Sequence, residues 1–258
     1  MEKRETIKYK GYKIKTYYDE NGESPREWDN LGTIAYNHSR YNLGEEKIDD
    51  PIDWLSSLLD IEKEELYEIA EKNGIDTYSN EMLSHLFDLA KDQMVIMPLY
   101  LYDHSGLTIS TSGFSCSWDS GQVGYNYCTL EKAIENWILP KDSTWDTLMD
   151  DWHYKGQKVS LRDATIRVLE GEIETFDQFL TGDVYGYDSG IHSCWGFYGE
   201  EGYKDMIAEA KSEIDYEIIK KRKEYQSKLK TLIRNRTPYS VRQTLLSEYD
   251  VPLLTKVS

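Results

Sequence analysis

The chain reads as α+β: a mostly antiparallel sheet packed with helices and followed by a long C-terminal helix. Two observations carry this. First, β-forming runs come in pairs joined by short polar turns, 94–102 with 107–111 and 184–187 with 191–197. That is the grammar of hairpins rather than of βαβ alternation. Second, residues 203–236 keep one apolar stripe at helical spacing (Ile207, Ala210, Ile214, Ile218, Tyr225, Leu229, Leu232). At about 1.5 Å per residue such a helix is roughly 50 Å long. The expected division is an α+β core over 1–200 and a helical extension over 201–258.

In chain order, residues 6–18 are rich in β-formers and read as an edge strand with a turn or bulge at Lys10-Gly11. Asn21-Gly22 and Ser24-Pro25 stop it. A polar turn at Trp28 leads to a short strand ending near Tyr36, and 38–44 is irregular with Tyr41 and Leu43 turned inward. Asp50-Pro51 caps and opens a helix, Asn73-Gly74 ends a second, and Ser79 caps a third. After the 94–111 hairpin, 123–128 is a strand. Thr129 caps a helix predicted over 130–139, stopped by Pro140. A helix over 161–180 buries Leu161, Ala164, Val168, Phe176 and Leu180. Past the long helix, Thr237-Pro238 breaks the chain and 240–243 opens a short final helix.

Composition narrows the function classes. Of 258 residues 39% are hydrophobic, and 21 Tyr and 7 Trp add amphipathic area enough for a sizeable core. The three cysteines, Cys116, Cys128 and Cys194, are widely spaced and form no C-x-x-C pair, which points away from a disulfide framework or a Cys-rich zinc site and toward a reducing cytosol. The charged N-terminus meets no apolar run, and the longest apolar stretch, 94–102, contains Pro98 and is too short to span a bilayer. No cofactor motif and no membrane partner are expected.

Charge is the strongest global signal. The net charge is −17, from 47 acidic and 30 basic side chains. Residues 218–237 carry Lys220, Lys221, Arg222, Lys223, Lys228, Lys230, Arg234 and Arg236 against Glu224 alone, a net +7 that leaves −24 on the rest. Residues 45–71 form an acidic block with Glu45, Glu46, Asp49, Asp50, Asp53, Glu62, Glu64, Glu65 and Glu68 among its members. Such a field favours basic partners, a basic host protein or a nucleoprotein complex, and repels nucleic acid over most of the surface. The plainer reading is solubility.

Three blocks carry a family resemblance: Trp28-Asp29-Asn30-Leu31-Gly32-Thr33 with His38 to Gly44; Tyr102-Asp103-His104-Ser105-Gly106 with Phe114-Ser115-Cys116 and Trp118-Asp119-Ser120-Gly121-Gln122-Val123-Gly124; and Leu180 to Gly186 with Ser193-Cys194-Trp195-Gly196-Phe197-Tyr198-Gly199. Together they make the chain similar to an uncharacterised family associated with bacteriophages and mobile elements. The resemblance implies such an origin and a place in the host cytosol, but carries over no activity and no catalytic residues. The turn Asp188-Ser189-Gly190 is shorter than the acidic turn of that family, and the basic helix lies outside the resemblance.

Four candidate sites follow. Asp103, His104, Cys116 and Asp119 are a Cys-His-Asp nucleophilic set if the hairpin folds back on the following loop; otherwise Asp103-His104 is a turn and Cys116 a small buried residue. Asp183, Asp188 and His192, with His104, are the sparse candidates for a divalent cation, and turn or cap roles explain each Asp. The basic stretch 218–237 can grip phosphates directly, serve as a solvated face, or join two copies through the long helix. The block 45–71 can imitate the phosphate charge of DNA. The leading expectation is a non-enzymatic, acidic inhibitor of a host defence system. A small hydrolase or transferase using Cys116 and His104, and a nucleic-acid-binding module, are the alternatives.

Overall fold

The structure is a computed structural model and describes residues 2–116 and 118–246. Its strands are β1 (Lys3–Tyr9), β2 (Tyr12–Tyr18), β3 (Thr33–Tyr36), β4 (Glu46–Lys47), β5 (Met94–Asp103), β6 (Leu107–Ser110), β7 (Ser120–Thr129), β8 (Leu148–Tyr154), β9 (Gln157–Ser160), β10 (Val184–Asp188) and β11 (Ser193–Tyr198). Its helices are α1 (Pro51–Leu58), α2 (Lys63–Asn73), α3 (Asn80–Ala90), α4 (Leu130–Asn136), α5 (Leu161–Leu180), α6 (Gly199–Arg234) and α7 (Tyr239–Leu246). The class is α+β, with all pairings antiparallel except the two-residue β3–β4 contact.

The compact units do not follow the expected division at 200/201. One unit is Met1–Glu23 with Gly182–Ser258, and the other is Ser24–Thr181; the part of the expected extension over 247–258 lies outside the described residues. The reason is strand pairing. The N-terminal run is not one edge strand but a hairpin, because Lys10 and Gly11 both take positive φ (48° and 88°), the two-residue turn that suits strand twist. Its second strand pairs with β10, about 170 residues later, giving the order β1-β2-β10-β11.

In that unit, the first half of α6 covers the sheet. Tyr203, Met206, Ala210, Ile214 and Ile218 bury against Ile14, Tyr185 and Tyr187. Thr16, fully buried, shares a hydrogen bond with the Tyr203 hydroxyl (3.2 Å). On β10, a Cβ on Gly186 would stand 2.0 Å from Trp195 Cε3. The indole therefore lies across the glycine, reaching Tyr17 on the far strand at 5.8 Å between ring centroids. Filling a glycine's gap with a cross-strand aromatic ties three strands together.

The Ser24–Thr181 unit is built on the sheet β4-β3-β7-β5-β6. One cluster joins α1, α2 and α3 to Ala35, Met94 and Tyr127; two others set α4 and α5 against Val95, Cys128, Ile34, Leu99 and Leu101. Three helix starts have their predicted caps: Asp50 accepts from the amides of Ile52 and Asp53, Ser79 from Met82, and Thr129 from Lys132; Ser160, not predicted, caps α5 by accepting from Asp163, and α2 starts without a side-chain cap.

Several local expectations are corrected. The helix after Thr129 stops at Asn136 rather than 139, because Ile138 turns to φ 54° and the Leu139 amide returns to the Ile134 carbonyl. In α5 the buried side chains are Leu169 and Ile173 in place of Val168 and Leu180, which are half-buried. The β8–β9 hairpin, turned at Lys155-Gly156, occupies a stretch with no predicted element.

A salt-bridged network anchors this unit and was not foreseen. Glu172, on α5, accepts the amides of Leu31 (2.6 Å) and Gly32 (2.9 Å). Arg26, only 8% exposed, lies 3.9 Å from Glu172 and 2.8 Å from Glu45. Glu45 in turn accepts the Ile34 amide (2.7 Å). The motif around Gly32 is thus a docking point for the α5 carboxylate.

Candidate functional site

The acidic block lies on β4, α1 and α2. Ile52, Leu55, Leu66 and Ala70 face the core, so the intervening carboxylates are forced outward. They divide into two groups. Glu45 is spent on Arg26 and Ile34, Glu46 accepts the Tyr127 hydroxyl (2.9 Å), and Asp50 caps α1. Asp49, Asp53, Glu62, Glu64, Glu65 and Glu68 are exposed, and among the described residues none of the six is in a salt bridge. Glu64 and Glu65 sit in the first turn of α2, where the helix dipole favours them.

Two exposed tyrosines stand among these charges, Tyr67 and Tyr78, and the Tyr78 hydroxyl donates to Asp53 (3.2 Å). The negative charge of Asp53 pushes the Tyr78 hydroxyl above its ordinary pKa. A depression of about 480 Å³ opens beside them, lined by Asp49, Asp50, Asp53 and Trp54. Trp54 forms its wall by stacking on Tyr125 at 5.2 Å. The result is a carboxylate-rich surface with aromatic edges.

The basic stretch belongs to α6. From Ile219 to Thr244 no residue is buried. Lys220 and Lys221 lie near Glu217 (3.9 and 3.7 Å). Arg222, Lys223, Lys230, Arg234 and Arg236 are exposed, and Lys228 is half-buried. Tyr225, Leu229 and Leu232, expected on the inner stripe, are only half-buried.

The structure does bring the hairpin residues together. The β5–β6 turn places His104 Nδ1 3.3 Å from Asp119 Oδ2. The Cys116 thiol donates to the same oxygen at 3.8 Å. Asp119 is thus shared, and the thiol points at the carboxylate instead of at the imidazole, so the nucleophile–base hydrogen bond of a catalytic set is not formed. Asp103 is engaged elsewhere, with Arg40 (2.6 Å) and the Tyr41 hydroxyl (3.2 Å). Cys116 is half-exposed, not buried, and Trp118 is 94% exposed.

Asp183 and Asp188 serve locally. Asp183 accepts the Tyr185 hydroxyl, and Asp188 accepts the Gly190 amide (2.8 Å) within the β10–β11 turn. Among the described residues no cluster of three or more His, Cys, Asp or Glu side chains could hold a metal ion. No helix among them is long and apolar enough to cross a membrane.

One apolar concavity escaped sequence reasoning. It measures about 630 Å³ and lies between α3 and α5 along the first half of β5. One signal pointed to it: Pro98 inside a strand, a residue tolerated mainly on sheet edges.

Comparison with protein-family models, with curated proteins and with solved structures finds no match to this chain.

Proposed function

We propose that this is an acidic interaction protein whose α1–α2 surface binds a basic face of another macromolecule, in part by imitating the charge of nucleic acid. The observation that carries the reading is the group of six exposed carboxylates, Asp49, Asp53, Glu62, Glu64, Glu65 and Glu68, with no basic side chain among the described residues in salt-bridge contact. A net charge of −24 outside residues 218–237 extends the same field over the rest of the chain. The resemblance of the sequence blocks to a phage and mobile-element family suits a target in a host defence system, such as a DNA-binding protein.

The test compares the wild type with a variant carrying D49N, D53N, E62Q, E64Q, E65Q and E68Q in capture from a bacterial extract. The expected result is a set of basic proteins retained by the wild type, released steeply by salt, and missing from the variant. Equal retention by both, or binding indifferent to salt, removes this function.

A second reading has its own observation. The part of α6 after Ile218 buries nothing and carries seven cations, with Arg236 just beyond it, which suits direct phosphate contact. A gel shift at low salt, with and without residues 218–258, separates the two; no shift by the intact chain rejects this one.

A further inference from the structure

We propose that the open half of the β5 edge is a docking site for an extended peptide of another protein, added as a new strand and carrying an acidic residue near Arg162. The reasoning starts from register. Strand β5 pairs with β7 over Met94–Tyr102, but with β6 only over Tyr100–Asp103. Among the described residues, the other side of Met94 to Leu99 therefore has no strand beside it.

Backbone alternation says which groups are exposed there. The Gln93 carbonyl accepts from the Leu130 amide (2.8 Å), on the β7 side. Main-chain groups of Val95, Met97 and Leu99 follow it toward β7, and those of Met94, Ile96 and Pro98 point to the open side. Pro98 obeys this pattern, since its missing N–H then costs no ladder bond. The open edge offers two amide donors, from Met94 and Ile96, and three carbonyl acceptors, from Met94, Ile96 and Pro98.

The 630 Å³ cavity occupies this same edge. Its lining includes Ile96 and Pro98 from one sheet face together with Val95 and Met97 from the other. A cavity touched by both faces reaches the edge itself, and Gln122 and Tyr125 of β7 continue its lining over the neighbouring sheet surface. Its walls are Phe87 of α3 and Ile166 of α5, apolar and set to receive alternate side chains of an added strand. Five residues, 94–98, match a peptide of about 16 Å.

Charge sets the ligand's chemistry. Arg162 lines the cavity, stacks on Trp145 at 5.0 Å and gives one N–H to the Lys91 carbonyl. Among the described residues it meets no carboxylate in a salt bridge, although the chain is strongly acidic. An aspartate or glutamate on the incoming strand would complete it. This site is independent of the α1–α2 surface, so either can fail alone.

The experiment selects random heptapeptides displayed on phage against the full chain, then measures the selected peptide as a synthetic fluorescein conjugate. Alternating apolar residues with one acidic residue are expected. N-methylation at alternate peptide positions should abolish binding, and R162E should weaken it at least about tenfold. Amide exchange supplies a readout that needs no variant: Met94 and Ile96 exchange fast in the free protein and become protected with peptide, while Val95 and Met97 are protected throughout. Selected peptides that leave Met94 and Ile96 unprotected overturn the proposal. So does concentration-dependent protection of these amides without peptide, which would make the occupant a second copy.

Discussion

Removing the Glu172 carboxylate should destabilise the Ser24–Thr181 unit more than any surface change. In E172A the Leu31 and Gly32 amides, both in buried residues, lose the carboxylate that accepts them, and Arg26 keeps Glu45 and the Gly32 carbonyl. Each unsatisfied buried amide costs about 1–3 kcal/mol, offset in part by the desolvation no longer spent on the carboxylate. The expected loss is about 3 kcal/mol, or roughly 6–12 °C in Tm for a unit of this size. E172Q keeps one acceptor oxygen and should cost about half as much. Burial raises the Glu172 carboxyl above its ordinary value of 4.5, opposed by the two amides and Arg26. A raised acid favours the folded state when protonated, so this contribution is full below about pH 4.5 and is lost as pH rises through the folded value. The wild type's advantage over E172Q should therefore shrink between pH 4 and pH 7. Urea unfolding followed by tryptophan fluorescence at several pH values measures both effects. An E172A variant within about 0.5 kcal/mol of wild type, or an advantage that grows with pH, would refute the reasoning.

Three further outcomes are expected. G186A drives a methyl into the Trp195 ring and should cost about 1–3 kcal/mol; adding W195A should recover part of it, and strict additivity of the two would contradict the contact. Burial pushes the Cys128 thiol up to about 12, so iodoacetamide at pH 8 should label half-exposed Cys116 and Cys194 in the folded protein and reach Cys128 only on unfolding, as read by mass spectrometry; equal rates at all three would be inconsistent with this packing. Y187F removes a fully buried hydroxyl that donates to Glu213 (2.7 Å), and thermal unfolding should show a loss of about 1–2 kcal/mol, with an unchanged Tm counting against it.

Local chemistry alone made most elements legible. Caps at Asp50, Ser79 and Thr129, the Gly74 stop after α2, and the 94–111 and 184–197 hairpins depend on neighbours a few residues away, and all stand where residue type places them. The β8–β9 hairpin was illegible because Asp150, Asp151 and His153 interrupt any apolar alternation, while Val159 and Met149 take their burial from α5 and its neighbours. The hairpin-tip residues were rightly grouped, yet no spacing rule could say that Cys116 and His104 would share Asp119 and not meet each other.

What the sequence by itself determined is the class, the helix limits to within a turn, and the separation of charge between the acidic block and the basic half of α6. Tertiary structure decided the rest. Pairing of β2 with β10 put the N-terminal hairpin into the C-terminal unit, and a short β6 left one side of the first half of β5 without a strand beside it among the described residues. It also divided the carboxylates, committing Glu45 and Glu46 to partners on other elements and leaving Asp49 and the α2 glutamates to solvent. The physical reason is range: caps and periodicity act within one helical turn, whereas strand order, edges and buried ion pairs are fixed by contacts between separate elements, up to about 170 positions apart for β2 and β10.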